Sequence, residues 1–324
     1  MTRVDPASLV LTVLNEAHGL PLFLRSLSAQ TVTPAEIVIV DGGSTDGTVE
    51  LLTAWPAPDG CAVRVAHSPG ATISEGRNQA ISFSSHDRIL VTDGGTTLSP
   101  RWVESMLDAF DADGPADVVC GFFEPVGDTF IERVIAFTVT PRVTEIEPAA
   151  FLPSSRSIGF RREAWARAGG YPEWLDYCED LLFDLEMKRL GLRFVFVPGA
   201  TVTWSARPSI RTFMKQYYRY ARGDGKANLW PRRHVARYAA YIGGLVLLRL
   251  ALLSPWWIVP LGLGGAMYLG KFWGRVWRGR ADFGRGAFRA IAFVPVIVAA
   301  GDIAKMAGYP VGRAWRMRRQ RRGG

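Results

Sequence analysis

Two hydrophobic patterns alternate along the first two thirds of the chain. Short β-branched runs lead into stretches where apolar residues recur every three or four positions, the mark of buried strands followed by amphipathic helices. The clearest run is Ile37-Val38-Ile39-Val40, which ends in Asp41 and is followed by Gly42 and Gly43. Ser44, Thr45 and Asp46, residues that favour helix N-caps, come next, and Val49, Leu51 and Leu52 then take up helical spacing. Taken in order, strands are expected at residues 8–14, 36–40, 61–66, 88–92, 118–123, 157–160 and 193–197. Helices are expected from Leu20 through Leu27, after Thr45, and over 73–83, 100–110, 162–168 and 179–190. Residues 124–155 show neither period. The alternation predicts βαβ units, hence an α/β protein with a doubly wound, mostly parallel sheet.

The last third follows a different pattern. Residues 238–270 are nearly continuously apolar, interrupted by Arg249 and by Ser254-Pro255, and a second apolar segment covers 290–301. A membrane crossing needs about 20 apolar residues. A buried helical subdomain is the soluble alternative. Trp256, Trp257, Trp273 and Trp277 suit interfacial anchors, and six of the eleven tryptophans lie after residue 206, which favours a membrane. The first segment is expected to fold as a hairpin turning near Ser254-Pro255, with halves of about 15 residues, short for a full crossing. The second is also short and continues through Asp302 and Lys305, so it is expected as a surface amphipathic helix.

Charge sharpens this division. The chain has 324 residues and a formal net charge of +8, but residues 1–206 hold 15 Lys+Arg against 27 Asp+Glu, and residues 207–324 hold 23 against 3. A basic tail suits either nucleic acid or an anionic membrane, and its long apolar runs favour the membrane over nucleic acid. Cys61, Cys120 and Cys178 are odd in number and far apart, which argues for a reducing compartment with no disulfide framework. His18, His67, His86 and His234 lack metal-ligand spacing. No secretory signal is expected, because residues 1–6 are polar and the apolar run at 9–14 is too short.

In an open α/β sheet, ligands bind outside the carboxyl ends of the strands. Asp41 stands at such an end, beside glycines and free helix N–H groups, a setting that suits a nucleoside and its phosphates. Other motifs share that setting: Thr12-Val13-Leu14-Asn15-Glu16, Gly76-Arg77-Asn78, and Thr92-Asp93-Gly94-Gly95. Downstream come Gly169-Gly170-Tyr171-Pro172-Glu173 and Cys178-Glu179-Asp180-Leu181. In order and spacing this set resembles the family 2 inverting glycosyltransferases of GT-A fold, over roughly residues 8–225.

The resemblance implies roles. Thr12, Asn15, Glu16, Asp41, Gly43, Ser44, Arg77, Asp93 and Gly95 would form the nucleotide-sugar site, and Asp180, with Glu179 before it, would be the catalytic base. Asp93 would hold a divalent cation, Mg2+ or Mn2+, as the first acid of an Asp-x-Asp motif whose second acid is Gly95 here. That departure leaves a weak or lost metal site open. Gln216-Tyr217-Tyr218-Arg219-Tyr220 resembles the Gln-x-x-Arg-Trp motif of processive synthases with Tyr for Trp, so Gln216 and Arg219 stand as acceptor-site candidates.

The expected protein is therefore a transferase at the cell membrane with a cytoplasmic catalytic part, acting on a lipid-linked or cell-envelope glycan acceptor. Residues 1–206 would form the catalytic domain, 207–237 a basic connector and 238–324 the membrane-associated helices. Gly95 keeps open a second reading, a relative that binds nucleotide-sugar or glycan without turnover. Composition leaves oligomeric state open.

Overall fold

The structure, a computed structural model, describes residues 3–112 and 114–322. The outermost ends of the expected catalytic part and of the basic tail lie outside them. Two compact units are present: Met1–Pro125 with Val143–Ser205, and Val126–Arg142 with Ala206–Gly324.

In the first unit, β1 (Arg3–Val13) leads through α1 (Leu20–Ser28) to β2 (Val32–Asp41), and α2 (Thr48–Ala54) leads to β3 (Ala62–His67). Then come α3 (Ile73–Phe83), β4 (Arg88–Val91), β5 (Thr96–Leu98), α4 (Trp102–Asp108) and β6 (Val118–Val126). After α5 (Phe130–Val139), which belongs to the second unit, follow β7 (Ile158–Arg161), α6 (Arg162–Ala168), α7 (Glu179–Arg189) and β8 (Phe194–Ser205). The sheet has eight strands in the order β3-β2-β1-β4-β7-β6-β8-β5. β3, β2, β1 and β4 pair in parallel, as the strand–helix alternation predicts. β7 runs antiparallel to both β4 and β6, and β5 antiparallel to β8.

Alternation along the central strands fills a core on each face of the sheet. Leu9, Leu11, Ile37 and Ile39 pack with Phe23 of α1 and Trp102 of α4 on one side. Val10, Val38 and Val40 pack with Ile81 of α3 and Phe183 of α7 on the other. Register aligns the carboxyl ends, with Val13 opposite Asp41 and Asp41 opposite His67. The loops after β1, β2 and β3 therefore emerge along one edge.

Before residue 206, one strand and one α-helix were not visible in the hydrophobic pattern. β5 is only three residues long, too short for a period to register. α5 lies inside the stretch that showed no period, yet it opens on a capping box in which Thr129 and Glu132 satisfy each other's backbone N–H groups. The Thr-x-x-Glu spacing was its one available signal.

The second unit also contains α8 (Ile210–Ala227), α9 (Pro231–Leu253), α10 (Ile258–Arg278) and α11 (Ala287–Arg322). α9 and α10 turn at Ser254–Trp257, the expected hairpin. Its arms are 23 and 21 residues long, longer than the apolar halves, because the basic flanks continue each helix. After Arg289, where an amphipathic helix continuing through Asp302 and Lys305 is expected, α11 runs 36 residues, to Arg322. Its charges are accommodated internally. Asp302 is buried, accepting from Arg237 Nε at 2.8 Å, Tyr268 Oη at 2.6 Å and Tyr241 Oη at 3.3 Å, with Lys305 Nζ 3.6 Å away. A charge satisfied in this way does not end an apolar helix. By length and composition, Pro231–Leu253 and Arg280–Arg321 could each cross a membrane. Large apolar side chains on α9 and α10, including Leu245, Leu252, Leu263 and Met267, are exposed.

α8 and α11 approach through glycines. A β-carbon on Gly312 would run into the carbonyl of Arg222 and come within 2.8 Å of Lys226 N, and one on Gly308 would strike the carbonyl of Tyr218. Backbone cannot yield as a flexible side chain does. Gly312→Ala is therefore expected to lower stability by about 1–3 kcal/mol. Gly264→Ala, where a β-carbon meets nothing within 4 Å, is expected to leave it unchanged or raise it slightly. Denaturant unfolding of the detergent-solubilised protein checks both, and equal midpoints for Gly312→Ala and wild type would contradict the close approach.

Candidate active site

The loops after β1 and β2 are laced together before any ligand arrives. Asn15 sits in the left-handed region at φ 55°, and its Oδ1 accepts from Thr45 N at 2.9 Å. Its own N–H donates to Ser44 Oγ at 2.9 Å. Glu16 N donates to Thr48 Oγ1 and Ala17 N to Asp46 Oδ2. Asp41 is fully buried, and its carboxylate receives the N–H groups of Gly43 and Ser44, with His67 Nδ1 2.7 Å from Oδ2. Burial pushes the Asp41 carboxyl up, but the hydrogen bonds from Ser44, Gly43 and His67 outweigh it, so its pKa lies below the ordinary aspartate value. Gly43 holds φ 99°, and a β-carbon there would come within 3.2 Å of Pro69 Cα. His67 is thus a partner of Asp41.

Thr12 packs against α3: a β-carbon on Gly76 would come within 2.6 Å of Thr12 Cγ2. The close approach sets the depth of α3 and so places Arg77, the next residue. Arg77 is buried, and its guanidinium donates to Asp93 Oδ1 at 2.8 Å and to Glu179 Oε1 at 2.9 Å. Burial works against the charge on Arg77, and the negative charges of Asp93 and Glu179 more than restore it. Asn78 binds the corner ahead of α7. Its Nδ2 donates to the Tyr171 carbonyl and to Glu173, and its Oδ1 accepts from Tyr171 N and Trp165 Nε1.

α7 begins at a strained point. Cys178, its N-cap, has φ 64°, which non-glycine residues adopt at a cost of about 1–3 kcal/mol. Glu179 and Asp180 follow in the first turn, near the positive end of the helix dipole. Glu179 turns inward to Arg77. Burial raises its pKa first and the neighbouring Asp180 charge raises it further; Arg77 opposes both, and the balance stands at about 7. Asp180 is half-buried, with Oδ1 accepting from Leu181 N at 2.8 Å and Oδ2 3.5 Å from Ser154 Oγ. One turn on, Asp184 is buried, and its Oδ2 has no hydrogen-bond partner among the described residues. Burial and the Asp180 charge hold its carboxyl well above the usual range. No residue-type signal singled out Asp184, since an acid four positions beyond Asp180 reads as an exposed helix residue.

The fold thus brings together Arg77, Asp93, Glu179 and Asp180 from three separate segments. Gln216 and Arg219 lie on α8 in the second unit, where Gln216 is buried between Arg207 and Tyr220.

A divalent cation is implied by the resemblance, and the donor set does not fit one. Asp93 Oδ1 is taken by Arg77, and Oδ2 faces Arg156 Nε at 3.6 Å. Gly95 contributes no oxygen, and a β-carbon there would come within 3.0 Å of Glu16 Oε2. Among the described residues no group of three or more His, Cys, Asp and Glu gathers to hold an ion. A cation on Asp93 would have two guanidinium groups as neighbours.

The class to which this fold belongs is the GT-A glycosyltransferase. The chain belongs to glycosyl transferase family group 2, whose model matches residues 88–301; the model of glycosyl transferase family 2 matches residues 8–164. It is similar to the succinoglycan biosynthesis protein ExoA of Rhizobium meliloti, 26% identical over 81% of this chain and 83% of that protein. It is also similar to the N-acetylglucosaminyl-diphospho-decaprenol L-rhamnosyltransferase of Mycobacterium tuberculosis, 25% identical over 62% of this chain and 76% of that protein. The crystal structure of S. aureus TarS 1-349 in complex with UDP has the same fold, with a TM-score of 0.50 at 17% identity, covering 99% of this chain and 92% of that one.

The raised Glu179 pKa carries a stability signature. Between 4.5 and about 7 the folded protein holds a proton that the unfolded chain has released. The stability this contributes is present below that window and lost as pH rises through it. Glu179→Gln stays neutral throughout, so its stability relative to wild type is expected to rise across the window. Urea unfolding at a series of pH values measures the difference, and a flat difference would mean that Glu179 titrates as an ordinary surface carboxyl.

Proposed function

We propose that this glycosyltransferase moves one sugar from a nucleoside diphosphate donor, with inversion, onto a lipid-linked or cell-envelope glycan acceptor at the cytosolic face of a membrane. The observation that carries the reading is the pair of acids opening α7, one bound inward by Arg77 and the other half-open to solvent. Glu179 is committed to Arg77, which leaves Asp180 as the acid able to meet an acceptor. The Asp180 carboxylate takes the hydroxyl proton as the acceptor oxygen bonds to the anomeric carbon. The bond to the diphosphate breaks on the opposite side, so a single displacement inverts that centre. Thr12, Asn15, Glu16, Asp41, Gly43, Ser44, Arg77, Asp93 and Gly95 serve the donor side. Asp41 acts there by shaping the loop that receives the nucleoside, and Arg77 by holding Asp93 and Glu179.

Support for the acceptor class comes from the relatives. One is named for a diphospho-decaprenol-linked sugar, and another, from Serratia proteamaculans, is named as an undecaprenyl-phosphate 4-deoxy-4-formamido-L-arabinose transferase. Support for a uridine donor comes from the UDP in the TarS crystal. Residues 1–206 carry catalysis, 207–237 connect, and 238–324 attach the protein to the membrane, with Gln216 and Arg219 offered to the acceptor. The exposed apolar faces of α9 and α10 favour this attachment, and the basic flanks favour the cytosolic side.

Asp180→Asn is expected to lower transfer by about 100-fold or more while the protein still gains thermal stability from UDP or a UDP-sugar. Near-normal turnover in the variant would remove Asp180 as the base. GDP- and dTDP-sugars in the same thermal-shift series identify the donor. For topology, Ala281→Cys in a background lacking Cys61, Cys120 and Cys178 is expected to resist a membrane-impermeant thiol reagent applied to intact cells. Labelling from outside would reverse the orientation.

A further inference from the structure

We infer that Arg156 takes the part of a metal ion in this enzyme: its guanidinium neutralises the donor diphosphate, and donor binding needs no divalent cation. The inference rests on the donor-site reading above and deepens it.

Arg156 lies in the short loop ahead of β7, between side chains that hold the loop in place. Ser155 Oγ is 2.9 Å from Tyr171 Oη. Ser157 Oγ accepts from Trp102 Nε1 at 2.8 Å and donates to the Ala200 carbonyl at 3.1 Å. Both serines are buried. The Arg156 side chain is steered in turn: its guanidinium carbon lies 5.0 Å from the ring centre of Trp204, and Nη1 donates to Ser154 Oγ at 3.0 Å. Stacking on an aromatic face and a fixed hydrogen bond orient a guanidinium. The side chain nevertheless retains 24% exposure, so a ligand can reach it. Arg77, at 3% exposure, is sealed between its two acids and cannot serve in this way.

Position completes the case. Arg156 Nε stands 3.6 Å from Asp93 Oδ2, the oxygen of that carboxylate opposite the one Arg77 binds, so a cation drawn to Asp93 would meet a guanidinium at either oxygen. A cation and a guanidinium cannot share that place without strong repulsion. The same strand end lacks its second acid, and Glu16 reaches the space beside Gly95. As the sugar–oxygen bond breaks, the electron pair stays on the diphosphate, and a planar fork of N–H donors can meet two of its oxygens at once. Arg156 thus supplies at the leaving group the positive charge that a metal would supply, while Asp180 receives the acceptor proton.

The test is calorimetric titration of the purified full-length protein in detergent with UDP, GDP and dTDP, first in EDTA and then in excess Mn2+. At least one nucleotide is expected to bind in EDTA, with its Kd changed by less than about 2-fold by Mn2+. Arg156→Gln is expected to weaken that binding by about 10-fold or more, and Arg156→Lys, which keeps the charge but loses the fork, by less. Thermal unfolding of both variants shows whether the fold survives. Binding that tightens about 10-fold or more with Mn2+, and loses that gain in Asp93→Asn, would overturn the inference by placing a cation on Asp93, and would leave the donor-site reading intact. Equal affinities for wild type, Arg156→Gln and Arg156→Lys would also overturn it. Failure of all three nucleotides to bind under either condition would bring down the donor-site reading itself, and the inference with it.

Discussion

The buried charge on Arg77 is the constraint on which the site depends. A guanidinium removed from water is tolerated only if carboxylates meet it in good geometry, and here they come from the end of β4 and the start of α7. Removing either acid would leave the buried positive charge with one partner in place of two. The three segments are therefore held in one arrangement by electrostatics as well as by packing. A consequence follows for the acids. Asp93 has its charge met inside the protein, and Glu179 is drawn inward with a raised pKa. Asp180 stands one residue from Glu179 and Arg156 faces the other oxygen of Asp93.

Preorganisation takes a different form in the loops after β1 and β2. Asp41, Asn15 and Asp46 spend their side-chain oxygens on backbone N–H groups of adjacent loops, and so the loop geometry exists before the ligand does. A site that is already ordered loses less conformational entropy on binding. The glycines serve the same end where backbone must come close: Gly76 admits Thr12 against α3, and Gly43 turns the chain past Pro69.

The helical unit solves a related problem. Its apolar helices carry Asp302 and Lys305, and they keep these charges by pairing them with Arg237 and two tyrosine hydroxyls. The glycines of α11 then allow α8 to lie against it at a distance that side chains would forbid.

Much of this was written in the linear sequence. Runs such as Ile37 to Val40 specify strands because every residue must face one core or the other, and α3 and α6 ended where their periodicity did. Acids next to strand ends and glycines marked the site, since such residues are poor strand formers kept there for another reason. The pairing partners were not legible. That Asp93 would be neutralised by Arg77, that His67 would meet Asp41, and that Arg156 would arrive beside Asp93 are contacts between residues 16, 26 and 63 positions apart, and no local period encodes them. Nor could a count of apolar residues foresee which groups make Asp302 tolerable within α11, because they lie on other helices. Local periodicity decided the elements. Only the tertiary structure decided which charges cancel and which remain for chemistry, because desolvation and Coulomb energy depend on neighbours in space and not in sequence.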